Sequence, residues 1–158
     1  MGADIDFDVT TGTLTVRSSR LRAVEITAED VPGIVDEVPV LAMAAAVAEG
    51  TTVVSGAAEL RAKESDRIAS TAAMLRVFGA QVTEAENGMV IEGGARLRPA
   101  RVDSYGDHQI AMAAAVAGAC ATEGTTVIDG WDSVATSYPG FAQHLVQLTG
   151  TTAAAGDA

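Results

Sequence analysis

The chain has 158 residues, 48% hydrophobic and 20% charged, a formal net charge of −11, aromatics at 4% and a single cysteine. That is the composition of one ordinary globular domain, and its acidity and scarcity of aromatics argue against the basic patch and stacking platform of a nucleic-acid binder. A lone thiol, Cys120, excludes an internal disulfide, and there is no CxxC or Cys/His spacing for a structural metal. The longest apolar run, Ile110 to Ala121, is well short of the roughly 20 residues that span a bilayer, so neither membrane span nor signal peptide is expected. Cytoplasm is the default compartment.

Taken in chain order, the first elements alternate apolar and polar residues around Thr11-Gly12, a hairpin signature. A short strand follows over Ala23 to Ile26. An acidic residue, Asp36, then opens an alanine-rich helix whose small side chains all round predict burial against other elements. "GTTVV" from Gly50 reads as a strand. The closing helix of this half is expected from Glu64 to Phe78, with Ile68, Met74, Leu75 and Phe78 on its apolar face and Gly79 as its stop.

The pattern then recurs. "AMAAAVA" stands at Ala42 to Ala48 and at Ala111 to Ala117, and "EGTTV" follows it both times. A second hairpin is expected around Asn87-Gly88, a strand at Arg101 to Val102, a helix from Asp107 and a strand at "GTTVI". A last helix is expected from Pro139, at its first turn, to Leu148. The two copies span about 1–77 and 78–149, and residues 150–158 are expected to be a disordered tail. In the second copy Gly79-Ala80 follows a long helix that the first copy lacks, so the chain is expected to begin inside a unit. Cys120 is expected as a small buried apolar residue, His144 as a surface one, and Trp131 as either core or a domain contact.

The densest chemistry lies in "ELRAKESDRI", Glu59 to Ile68. Arg61, Lys63 and Arg67 near a helix start combine cations with free backbone N–H groups, which suits a phosphate or carboxylate, and Glu64 beside them suits proton transfer. A solvated helix start, with Glu64 and Asp66 complementing the dipole, gives the same charge pattern. Charge pattern leaves both readings open.

The exact string decides more. "RAKESDR" resembles the R-x-K-E-S-D-R signature of the enolpyruvyl transferases, and "DEVP" at Asp36, "FGA" at Phe78, "YGDHQIAM" at Tyr105 and "SYPGF" at Ser137 lie in the order that family shows. The resemblance covers Met1 to about Leu148. It implies an α/β (α+β) fold of repeated βαβαββ units, with mixed sheets covered by helices, and makes residues 1–149 the C-terminal part of the second of two such domains.

The activity it implies is transfer of the carboxyvinyl group of phosphoenolpyruvate to the 5-hydroxyl of shikimate 3-phosphate in aromatic amino-acid biosynthesis. Neither cofactor nor metal is implied. Asp36 matches the aspartate that contacts the ring hydroxyls and takes the attacking proton, and Glu64 the glutamate that exchanges a proton with the methylene carbon. Lys63 and Arg67 match phosphoenolpyruvate ligands, with His108 and Gln109 as further substrate-binding candidates. The missing N-terminal domain is the implied partner, and the chain alone is expected to be inactive. Two departures remove charge: Gln109 stands where the family carries arginine, and Thr136 where many members carry lysine. Alternatives are the related transferase acting on UDP-N-acetylglucosamine, and a degenerate, non-catalytic domain.

Overall fold

The computed structural model describes residues 1–153. Its first hairpin pairs β1 (Asp4–Asp8) with β2 (Thr13–Arg17), closed by the Asp8 carboxylate, which accepts hydrogen bonds from the Thr10 amide and hydroxyl. After β3 (Glu25–Ile26) come a single turn, α1 (Val31–Ile34), and the alanine-rich α2 (Val38–Val47), with Pro39 in the first turn where a missing N–H costs nothing. Next are β4 (Thr51–Val54), a 3-10 turn over Ala58–Ala62, α3 (Arg67–Val77), and the second hairpin, β5 (Gln81–Ala85) with β6 (Gly88–Glu92). The chain continues through β7 (Arg101–Asp103), α4 (His108–Cys120), β8 (Val127–Asp129), a 3-10 turn over Trp131–Thr136 and α5 (Phe141–Thr149).

Every element expected from the repeat is present, and each half runs hairpin, strand, helix, strand, 3-10 turn, helix. The sheets group them differently. The four-stranded sheet has the order β3-β4-β6-β5, with β3 parallel to β4 and the hairpin antiparallel to both, so its βαβαββ unit runs from Glu25 to Glu92, across the boundary of the sequence repeat at residue 77. The β1–β2 hairpin and the parallel β7–β8 pair are separate two-stranded sheets.

The small residues let α2 and α4 approach closely; α2 and α3 lie against the large sheet, and α4 against the β7–β8 pair. Ala42, Ala45 and Ala46 of α2 and Ala111, Ala113, Ala114 and Ala117 of α4 are buried, as are Ile68, Met74, Leu75 and Phe78, the face expected for α3.

Three boundaries or burials differ from expectation. Helix α3 begins at Arg67 rather than Glu64, because Asp66 caps it by accepting from the amides of Ile68 and Ala69. Helix α5 begins at Phe141, leaving Pro139 outside its first turn and Gly140 at its N-cap. Cys120 is exposed rather than buried: it is the last residue of α4, beyond Ala117, the last residue that the helix buries. The expected tail lies outside the described residues from 154 onward, and residues 151–153 carry no regular structure.

Candidate active site: one buried arginine holds three carboxylates

Arg67 is the first residue of α3 and the largest of the fully buried side chains, with 1% of its side chain exposed. A charge so placed needs partners on every side. Its Nε donates to Asp107 Oδ2 at 2.8 Å and its Nη2 to Asp107 Oδ1 at 3.3 Å. Nη1 donates to Asp36 Oδ1 at 2.7 Å, and Nη2 also to Glu64 Oε2 at 2.6 Å. Four directed bonds thus engage a group with five N–H donors.

The three carboxylates arrive from different elements. Asp36 precedes α2, Glu64 sits in the loop between the 3-10 turn and α3, and Asp107 caps α4 by accepting from the Gln109 amide at 2.9 Å. Asp107 is fully buried and also accepts from the Ser65 hydroxyl at 2.9 Å. Burial pushes its carboxyl up, but the hydrogen bonds from Arg67, Gln109 and Ser65 and the guanidinium charge outweigh this and hold it below the ordinary 3.8. For Arg67, burial opposes the charge while the bonds to Asp107 and Asp36 and the nearby carboxylates raise its pKa above the ordinary range.

Asp36 and Glu64 are different in kind. Their side chains are 56% and 51% exposed, each giving one oxygen to Arg67. Both candidate proton carriers are therefore tied to one guanidinium and open to a ligand. Lys63 is exposed beside them and forms no ion pair among the described residues. His108 and Gln109 open α4 next to Asp107 and are half-buried. Gln109 faces a cavity of about 200 Å³ shared with Val40, Met112, Val116, Tyr138 and Phe141.

Arg61 is not part of this group. Its Nε and Nη2 donate at 2.8 Å to the carbonyls of Glu86 and Ala85, and its Nη1 to Asp66 at 2.6 Å, so it ties the second hairpin to the start of α3. Sequence reasoning placed Asp107 at the start of a helix but not among the site residues, and it gave Ser65 no role. The aspartate of "YGDHQ" marks the start of an apolar helix, but nothing local to it signals that it would be buried against Arg67. Thr136 ends its 3-10 turn, exposed, with its hydroxyl donating to the Ser133 carbonyl. His144 is exposed and bonds the Tyr138 hydroxyl at 2.7 Å, and half-buried Trp131 lies against Phe141 with ring centroids 6.2 Å apart.

Residues 1–145 match the family model described as EPSP synthase (3-phosphoshikimate 1-carboxyvinyltransferase). The chain belongs to the EPSP synthase family. The 3-phosphoshikimate 1-carboxyvinyltransferase of Synechococcus sp. (strain JA-3-3Ab) is 50% identical over 155 residues, covering 94% of this chain and 35% of the relative. That of Geobacter sulfurreducens is 53% identical over 128 residues, 81% of this chain and 30% of the relative. An EPSP synthase structure from Acinetobacter baumannii superposes with a TM-score of 0.83 at 37% identity, covering 94% of this chain and 36% of that one. The enolpyruvyl transferase NikO from Streptomyces tendae shares the fold at 24% identity, with a TM-score of 0.74, over 94% of this chain and 33% of that one. The chain thus spans about a third of the length of the EPSP synthase family relatives it matches.

Proposed function

We propose that this chain carries part of the active site of a 3-phosphoshikimate 1-carboxyvinyltransferase, which transfers the carboxyvinyl group of phosphoenolpyruvate to the 5-hydroxyl of shikimate 3-phosphate in the cytoplasm. The observation that supports this most is the bridging of Asp36 and Glu64 by the buried Arg67. Two exposed carboxylates on one rigid cation are fixed relative to each other, as a reaction with two proton transfers requires. Asp36 takes the proton of the attacking 5-hydroxyl, while Glu64 protonates the methylene carbon of phosphoenolpyruvate. A tetrahedral intermediate results. Glu64 then removes a proton from the new methyl group as phosphate departs, which restores the double bond.

Anion binding falls to Lys63, because Arg67 spends four donor contacts on its own carboxylates. Arg67, Lys63, Asp36, Glu64 and Asp107 together sum to a negative charge. A phosphate and a carboxylate therefore need further cations. Gln109 offers an amide where the family carries arginine, so those cations are assigned to the remainder of the enzyme, the domain absent from this chain. The chain alone is then inactive, and the completed protein turns over.

The first test is an NMR titration of the chain with phosphoenolpyruvate and shikimate 3-phosphate, followed by an assay of the chain joined to the rest of a relative. Shifts confined to Asp36, Lys63 to Arg67 and Gln109, with turnover only in the completed protein, support the reading. Product formation by the chain alone, or a completed protein whose turnover is unchanged by Glu64→Gln, refutes it. A second reading, a binding domain that has lost catalysis, draws on Gln109. It predicts no turnover in the completed protein until Gln109→Arg is introduced.

A further inference from the structure

Three residues, Ala62 to Glu64, separate Arg61 from Ser65, and this short loop is fastened at both ends. At one end the Arg61 guanidinium has three acceptors: Nε donates to the Glu86 carbonyl and Nη2 to the Ala85 carbonyl, both at 2.8 Å, and Nη1 to Asp66 Oδ2 at 2.6 Å. At the other end the Ser65 hydroxyl donates to the buried Asp107 at 2.9 Å and lies 2.9 Å from the Ser70 hydroxyl. Between these anchors Lys63 and Glu64 are exposed, and among the described residues their backbones make no hydrogen bond to another element. Only the bond from Arg67 to the Glu64 carboxylate holds the loop in between.

What Arg61 grips is the turn of the second hairpin. The successive carbonyls of Ala85, Glu86 and Asn87 accept from Arg61 Nη2, Arg61 Nε and the Ala57 amide, the last at 2.8 Å, so the segment from Ala57 to Arg61 is seated on one turn. Leu60, between those contacts, is buried in the core. The turn cannot slide, because a side chain at Gly88 would meet the Val54 carbonyl of β4. Asp66 carries the line onward: one of its oxygens accepts from Arg61 and the other caps α3, whose first residue is Arg67.

We propose that Arg61 is a positioning residue for Lys63 and Glu64, setting the distance between the hairpin turn and the loop that carries the anion-binding cation and the proton carrier. This rests on the roles proposed above for those two side chains. All three guanidinium nitrogens are committed to acceptors of the chain itself, so Arg61 acts as a fork and not as an anion ligand. Without it the loop pivots on Ser65 alone, and a misplacement of about 1 Å costs up to roughly a hundredfold in rate. The fold does not depend on it: Ala85, Glu86 and Asp66 are exposed, and their oxygens turn to water when the guanidinium is removed.

Arg76 supplies a matched control. It ties the same hairpin to the same helix, donating to Glu84 Oε1 at 2.7 Å and to the Val82 carbonyl at 3.2 Å, but from the last turn of α3, away from the loop. NMR relaxation of the chain is expected to give Lys63 and Glu64 amide order parameters near about 0.85 in the wild type and Arg76→Met, and below about 0.6 in Arg61→Met and Arg61→Lys. Arg61→Lys keeps the charge and loses the fork. In the completed protein, kcat is expected to fall roughly ten- to a hundredfold with either Arg61 change and to stay unchanged with Arg76→Met. The KM for shikimate 3-phosphate is expected to hold, because Asp36 stands on another element. Rigid Lys63 and Glu64 amides in Arg61→Met, an Arg76→Met that loosens or slows the protein equally, or full activity with Arg61→Lys overturns the proposal. A completed wild type without turnover refutes the function proposed above, and the relaxation measurement on the chain alone then decides the role of Arg61.

Discussion

Arg67 and Asp107 are each other's justification for being buried. Removing one partner of such a pair leaves an uncompensated charge, which costs about 3 to 5 kcal/mol. Arg67→Ala is therefore expected to lower the urea-unfolding free energy of the chain by that amount. The same change frees Asp36 and Glu64 from their common anchor. The pH dependence follows from Asp107. Its carboxyl is held below 3.8 in the folded chain, so its contribution to stability is complete above the unfolded value and is lost as pH falls through the lower folded one. Urea midpoints of the wild type and Asp107→Asn are expected to differ most near neutrality and to converge only once pH has fallen through the folded value, which lies below 3.8. Gln109→Arg in a completed protein tests the lost charge directly. A charge-assisted contact contributes on the order of 1.5 to 3 kcal/mol, so calorimetry is expected to show phosphoenolpyruvate binding tightened by roughly tenfold or more.

At the level of elements, the local rules operate through caps and close approaches. Asp66 satisfies two of the free amides of α3, and Asp66→Ala is expected to cost about 1 kcal/mol, read as a lower urea midpoint with an unchanged slope. It also releases Arg61, which ties the second hairpin to that helix. Gly88 opens β6 so close to β4 that a Cβ there would stand 1.9 Å from the Val54 carbonyl oxygen. Gly88→Ala is expected to break the β4–β6 ladder and be seen as lost amide protection from Thr51 to Val54, because the obstacle is backbone and cannot move aside. The positions of hairpins, strands and helices were legible from alternation, alanine-rich runs and the repeated "EGTTV", since those signals are local. The start of α3 was not. "KESDR" offers two acidic residues as caps, and the choice of Asp66 over Glu64 follows from Glu64 being drawn to Arg67.

For the whole molecule, the sheets cross the sequence repeat. A periodic sequence states how long a unit is but not where it starts, and β5–β6 belongs by hydrogen bonding to the strands before it. By itself the sequence determined the fold class, the order of elements, the family and the stretch in which the charged residues would meet, because each rests on short-range pattern or on an exact string. Only the tertiary structure decided what those charges do. Asp36, Glu64 and Asp107 come from separate segments up to 71 positions apart, and which of them a single buried guanidinium holds is a question of packing that no local pattern contains.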